Sequence, residues 1–237
     1  MEKESDIAYV RWFSELSNKD VSIGGGKGAS LAEMYNAKFP IPPGFILTAQ
    51  AYAFFIEHAQ LGPAIQEIID SIAMEDTHAL QAASQKIRAL IEEAAFPKAM
   101  EEAIVEAYSM LDVDRNYGEH MRKEALAILQ KSHEPPFVAV RSSATTEDLV
   151  DASFAGQQES FLNVKGEKDL LAAVKKCYSS LFTARAIYYR AKKGFSHTKA
   201  YLATVVQKMV DSDKSGVMFS KNPVSPEKNI VIEAVFG

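Results

Sequence analysis

The stretch that most constrains what this chain can fold into runs from Val138 to Val164 and reads VAVRSSATTEDLVDASFAGQQESFLNV. Its opening residues are apolar and alternate, which predicts a strand; Arg141, Ser142 and Ser143 arrive at its end, and a small-residue loop leads to a second short strand. Such a layout presents donors to an oxyanion. Arg141 offers a rigid fork of N–H groups, Ser142, Ser143, Thr145 and Thr146 add hydroxyls, and Ala155-Gly156 lets backbone approach a bound group closely. The same string also suits a polar surface turn, so it needs support from elsewhere in the chain.

A second candidate anion site lies far upstream, in VSIGGGKGASLAEMYNAKF, residues 21 to 39. Three glycines, a lysine and then Leu31, Met34 and Tyr35 at helical spacing predict a glycine-rich turn feeding a helix. The helix N-terminus would present free backbone N–H groups and partial positive charge, with Lys27 beside them. It is not a Walker A loop, because Gly28 stands where Ser or Thr is needed and Val21 where a glycine is needed. The loose dinucleotide match Gly24-x-Gly26-x-x-Ala29 lacks a good preceding strand and a ribose-binding acid, and is set aside as chance.

Between these sites the pattern is structural. Pro40, Pro42 and Pro43 force an extended entry to a strand at Gly44-Phe45-Ile46-Leu47, and Thr48 is the expected N-cap of a helix through His58. From about Pro63 to Lys131 apolar residues recur every three or four positions, as in Ile87, Leu90, Ile91 and Met100, Ile104, Ala107, predicting successive helices with Pro97 as an N1 proline. Pro135-Pro136 stops the helices. After Val164 the pattern predicts one or two helices ending at Gly194, then a strand in YLATVVQKMV, a turn at DSDKSG, a hairpin partner in VMFSKNPV and a third strand in NIVIEAVFG. The residues alone leave α/β and α+β open.

Composition narrows the partners. With 26 Lys+Arg against 31 Asp+Glu the net charge is -5, which argues against broad attraction to nucleic acid or anionic membrane while allowing a local cationic pocket. Cys177 is the one cysteine, so no disulfide framework or thiolate metal site is expected, and it reads as core filler on a helix. The N-terminus has no apolar signal core and the chain has no run of about 18 apolar residues, so a cytoplasmic location is the expectation. At 237 residues one large domain or two small ones are possible.

Taken in order, GGGKGASLAEM, IPPGFILT, VAVRSSATTEDLVDASFAGQQESFLNV and VVQKMVDSDKSGVMFSKNPVS resemble the nucleotide-binding domain of the pyruvate phosphate dikinase family, which also includes rifampicin phosphotransferases. The resemblance implies an α+β, ATP-grasp-like fold with a helical insertion in the first half, a helix-rich lobe over about 1–134 and a phosphate-loop and strand region over about 135–237. It implies MgATP as ligand, and transfer of phosphoryl to a histidine on a separate domain and then to pyruvate. Carried over onto matching positions, it makes Lys27 and Arg141 the catalytic phosphate contacts, with Gly156 and Ser160 in the phosphate-side loop and Gln207 toward the adenine.

The resemblance also marks departures. Relatives continue past EAVFG into a segment that supplies the magnesium ligands, so the chain is expected to be C-terminally incomplete, and neither Glu233 nor Glu147, Asp148 and Asp151 are assigned to the metal. The phosphorylated histidine's motif surrounds none of His58, His78, His120, His133 and His197. Phosphohistidine and pyruvate-binding domains are expected elsewhere, on the rest of a longer chain or on a partner chain. A rifampicin phosphotransferase-like domain and a non-catalytic nucleotide-binding remnant are the alternatives.

Overall fold

A computed structural model describes residues 7–111, 134–145, 159–197, 200–225 and 228–236. The expected helix at 117–131 falls outside these residues, as do Thr146, Glu147, Asp148, Asp151, Ala155, Gly156, His120 and His133.

The first half alternates short strands with helices. β1 (Val10–Trp12) runs into a 3-10 turn at Phe13–Glu15, followed by α1 (Val21–Asn36), β2 (Gly44–Leu47), α2 (Ala49–His58), α3 (Leu61–Asp70), α4 (Thr77–Glu93) and α5 (Lys98–Ser109). Thr48 caps α2 as expected, its hydroxyl accepting from Ala51 N. Pro97 is the N-cap of α5, one position before the N1 site expected for it. The second half gives β3 (Val138–Ala144), β4 (Ser160–Val164), α6 (Glu167–Ser179), a 3-10 turn at Ser180–Phe182, α7 (Ala184–Lys193), β5 (Leu202–Lys208), β6 (Lys214–Phe219) and β7 (Val231–Phe236). Gly194 ends α7 in the left-handed conformation, φ 71°, where a side chain would be strained.

Five strands form one antiparallel sheet in the order β1-β2-β5-β3-β4. Its two faces are read from alternation. Phe45, Leu47, Val138, Val140, Leu202 and Val206 enter a large core under α2 to α6, whereas Ile46, Ala203 and Val205 enter a smaller one with Phe13, Leu16 and Ala32 beneath α1. Each of these fully buried branched side chains contributes roughly 1.5–3 kcal/mol, so the sheet is held from both sides.

One strand pairing differs from the sequence expectation. VMFSKNPV does not form a hairpin with β5, because β5 is flanked by β2 on one edge and β3 on the other and has no free edge to offer. β6 pairs instead with β7 in a separate two-stranded ribbon whose residues are largely exposed, Met218, Ile232 and Phe236 among them.

Candidate functional site

Two cationic side chains come from opposite halves of the chain to the middle of β3, which runs on to Ala144 so that Arg141 is its fourth residue and not its end as expected. The helical pattern of α1 begins at Val21, before the glycines, and is broken at Gly25 (φ 67°, ψ 172°) before it resumes. A Cβ at residue 25 would overlap the Ser143 carbonyl and hydroxyl, so the break both requires glycine and lets α1 press onto β3. In an unbroken helix Gly28 N–H would donate to Gly24 O. Here the Ser143 hydroxyl stands between them, accepting from Gly28 N at 3.1 Å and donating to Gly24 O at 2.8 Å.

This arrangement corrects one expectation. The backbone N–H of Gly28 is not free for an anion, because Ser143, 115 residues away, has already taken it. Lys27, one residue earlier, instead sends its Nζ to the Ser142 carbonyl at 3.2 Å.

Arg141 immediately precedes Ser142 and lies opposite both Val205 of β5 and Ser160 of β4. Directly opposed residues of an antiparallel pair project to the same face. Val205 packs under α1, so Arg141 and Ser160 share the α1 face of the sheet. Gln207 lies opposite Ala139, two positions from Arg141, which puts it on the same face and about 7 Å further along the strands. Gln207 Nε2 donates to Pro42 O at 3.2 Å. The Arg141 side chain is partly exposed and makes no hydrogen bond or ion pair among the described residues.

Thus Lys27, Arg141, Ser160 and Gln207 share one side of the sheet, while Gly156 lies outside the described residues. Glu233 sits opposite Val217 in the β6–β7 ribbon. Of the histidines, His58 ends α2 beside Phe54, His78 opens α4 and His197 accepts from Arg190 Nε. No group of three or more His, Cys, Asp or Glu is placed to hold a metal among the described residues, so no residue here is assigned to magnesium and no step is routed through it.

Sequence reasoning missed the anchor behind this site. Arg88 of α4 grips the Glu159 carboxylate with both terminal nitrogens, at 2.8 and 3.0 Å, and Glu159 O accepts from Ser142 N at 3.2 Å and Ser142 Oγ at 3.1 Å. Arg88 and Glu92 stand four apart on α4 and read in sequence as an ordinary surface pair; nothing local signals a partner 71 residues away.

Residues 21–237 match the pyruvate phosphate dikinase AMP/ATP-binding domain. The chain belongs to that family. It is 50% identical over 236 residues to a probable phosphoenolpyruvate synthase of Methanocaldococcus jannaschii, covering 99% of this chain and 18% of that protein. It is 41% identical over 262 residues to the phosphoenolpyruvate synthase of Pyrococcus furiosus, covering 97% and 30%. With the phosphoenolpyruvate synthase of Aquifex aeolicus the identity is 42% over 244 residues, covering 100% and 27%. The chain therefore spans less than a third of the length of these curated relatives. The dikinase-family membership inferred from the four sequence blocks is the membership found. No described helix is long and apolar enough to cross a membrane.

Proposed function

We propose that this chain is the ATP-binding portion of a phosphoenolpyruvate synthase, and that the α1 face of its sheet, at the middle of β3, receives the nucleotide's phosphates. The observation that carries the reading is the meeting of Lys27 and Arg141 there: Lys27 Nζ touches the carbonyl of the residue that follows Arg141. Phosphoryl transfer depends on positioning and on neutralising charge spread over the transferred group, and a lysine beside an arginine fork on one strand is suited to both. Ser160 adds a hydroxyl beside Arg141, and Gln207, further along the same face, is assigned to the adenine side.

The reaction proposed for the whole protein is ATP + pyruvate + water to AMP + phosphoenolpyruvate + phosphate. For AMP and phosphate to be the products, the bond between the α- and β-phosphates breaks as the β-phosphoryl goes to a histidine on a separate domain, and water takes up the γ-phosphoryl as phosphate. The β-phosphoryl then passes from the histidine nitrogen to the enolate oxygen of pyruvate. We read the architecture as ATP-grasp-like, with α2 to α5 as the helical insertion, a helix-rich lobe over about 1–134 and a phosphate-loop and strand region over about 135–237. We assign MgATP as the ligand and the cytoplasm as the location. The names of the relatives favour this over a rifampicin phosphotransferase.

Calorimetric titration of the folded 237-residue chain with ATP, AMP and adenosine, with and without Mg2+, tests the reading. ATP binding tighter than adenosine binding is expected, because the two cations act on phosphate. Equal affinities for ATP and adenosine, or no binding of either, overturn it.

A further inference from the structure

We propose that Arg88 is a positioning residue for the nucleotide's phosphates, acting through Glu159 and Ser142 on the stretch of β3 that carries Arg141. The inference rests on the nucleotide reading above and names a group that reading does not use. Its observation is a continuous relay from one side of the sheet to the other: Arg88 to the Glu159 carboxylate, Glu159 O to Ser142 N and Oγ, and Ser142 O to Lys27 Nζ. Every link is 3.2 Å or shorter.

The Arg88–Glu159 pair differs from an ordinary surface ion pair. Both side chains are about seven-tenths buried, at 28% and 32% exposure, and the contact is a two-bond fork. Arg88 is also steadied from its own helix, with Nε 3.7 Å from Glu92 Oε1, and Glu92 in turn accepts from Ser179 Oγ of α6 at 2.6 Å. A guanidinium held on two sides has little freedom to follow a wandering carboxylate, so it fixes where Glu159 can be.

The pinned point needs an outside hold. β4 is an edge strand, and its pairing with β3 slips between Val138 and Val140, where the register is irregular. With Ser160, Leu162 and Asn163 exposed, β4 has little buried face to specify its own register, and a one-residue slip sends every side chain to the opposite face. Glu159 immediately precedes Ser160, the residue opposite Arg141. By clamping Glu159, Arg88 keeps Ser160 in register with Arg141 and holds the carbonyl on which Lys27 rests.

The test uses Arg88→Met, Arg88→Lys and Glu159→Gln in the 237-residue chain, reading ATP affinity, adenosine affinity, hydrogen exchange at the Ser142 amide and the urea unfolding midpoint. Arg88→Met is expected to weaken ATP binding by about 3- to 30-fold while adenosine binding stays unchanged, and to speed exchange at Ser142. Arg88→Lys keeps the charge but not the fork and falls between. Combining Arg88→Met with Glu159→Gln weakens ATP binding no further than the worse single change, because both remove one contact. Unchanged exchange at Ser142, or equal losses for ATP and adenosine, overturns the proposal in favour of a purely structural pair. Wild-type chain that binds no ATP overturns the nucleotide reading and this role with it; wild-type binding together with undiminished binding by Arg88→Met overturns this inference alone.

Discussion

The Ser143 hydroxyl occupies the hydrogen bond that Gly28 would otherwise make within its own helix, at 3.1 Å from Gly28 N, and closes the circuit by donating to Gly24 O at 2.8 Å. One side chain from β3 thereby sets both the break in α1 and the height of Lys27 above the sheet. Ser143→Ala leaves a buried donor and a buried acceptor without their partner, which costs about 1–3 kcal/mol. Gly25→Ala adds backbone strain at φ 67° to a collision with Ser143. Both variants are expected to unfold at lower urea than wild type, Gly25→Ala lowest; a wild-type midpoint for Gly25→Ala means that α1 does not pack on β3 in this way.

Lys27 and Arg141 differ in what surrounds them, and their variants should differ accordingly. Lys27 already rests on the Ser142 carbonyl, whereas the Arg141 side chain is partly exposed and makes no hydrogen bond or ion pair among the described residues. Replacing either by alanine removes a charge-assisted hydrogen bond worth about 1.5–3 kcal/mol, or roughly 10- to 150-fold in ATP affinity. Arg141→Ala should leave thermal stability unchanged, while Lys27→Ala lowers it slightly. Titration of both folded variants settles the matter, and wild-type ATP affinity in either removes that residue from the site.

How much of this was legible in advance depended on the distance over which each signal acts. β2 was readable to the residue because Pro43, Gly44 and Thr48 bracket it locally, and Thr48 and Gly194 carry their own capping chemistry. The meeting of Lys27 and Arg141 on β3 could be inferred only from resemblance, since no spacing rule links residues more than a hundred apart. The splice of Ser143 into α1 was invisible for the same reason: a serine in RSSAT looks like a turn hydroxyl until the glycine kink is beside it. The β6 pairing was misread because hairpin signals are local, whereas whether β5 has a free edge is decided by β2 and β3.

Cys177 is fully buried on α6, and burial pushes its thiol far above the ordinary range, with the Glu159 carboxylate pushing the same way. Since the thiolate is the reactive species, the native protein should resist disulfide-forming reagents at mildly alkaline pH and react with one equivalent only after denaturation. Rapid labelling of native protein, monitored by released thiol chromophore, contradicts the burial and the helix placement together.

His197 gives the fold a dependence on acid whose sign follows from its neighbours. Arg190, itself buried and brought down by burial to about 10, donates from Nε to His197 Nδ1 at 3.4 Å, which requires an unprotonated Nδ1. Burial first and the Arg190 charge second hold His197 below its ordinary value of 6.5, with Asp70 opposing more weakly. The unfolded chain therefore binds this proton more readily than the folded one, so the contribution is fully present above about pH 6.5 and is lost as pH falls toward the lower folded value. Urea midpoints of wild type and His197→Gln should run parallel at neutral pH and diverge on acidification, with the wild type falling further. Identical acid profiles mean that His197 titrates alike in both states and that the Arg190 contact does not constrain its proton.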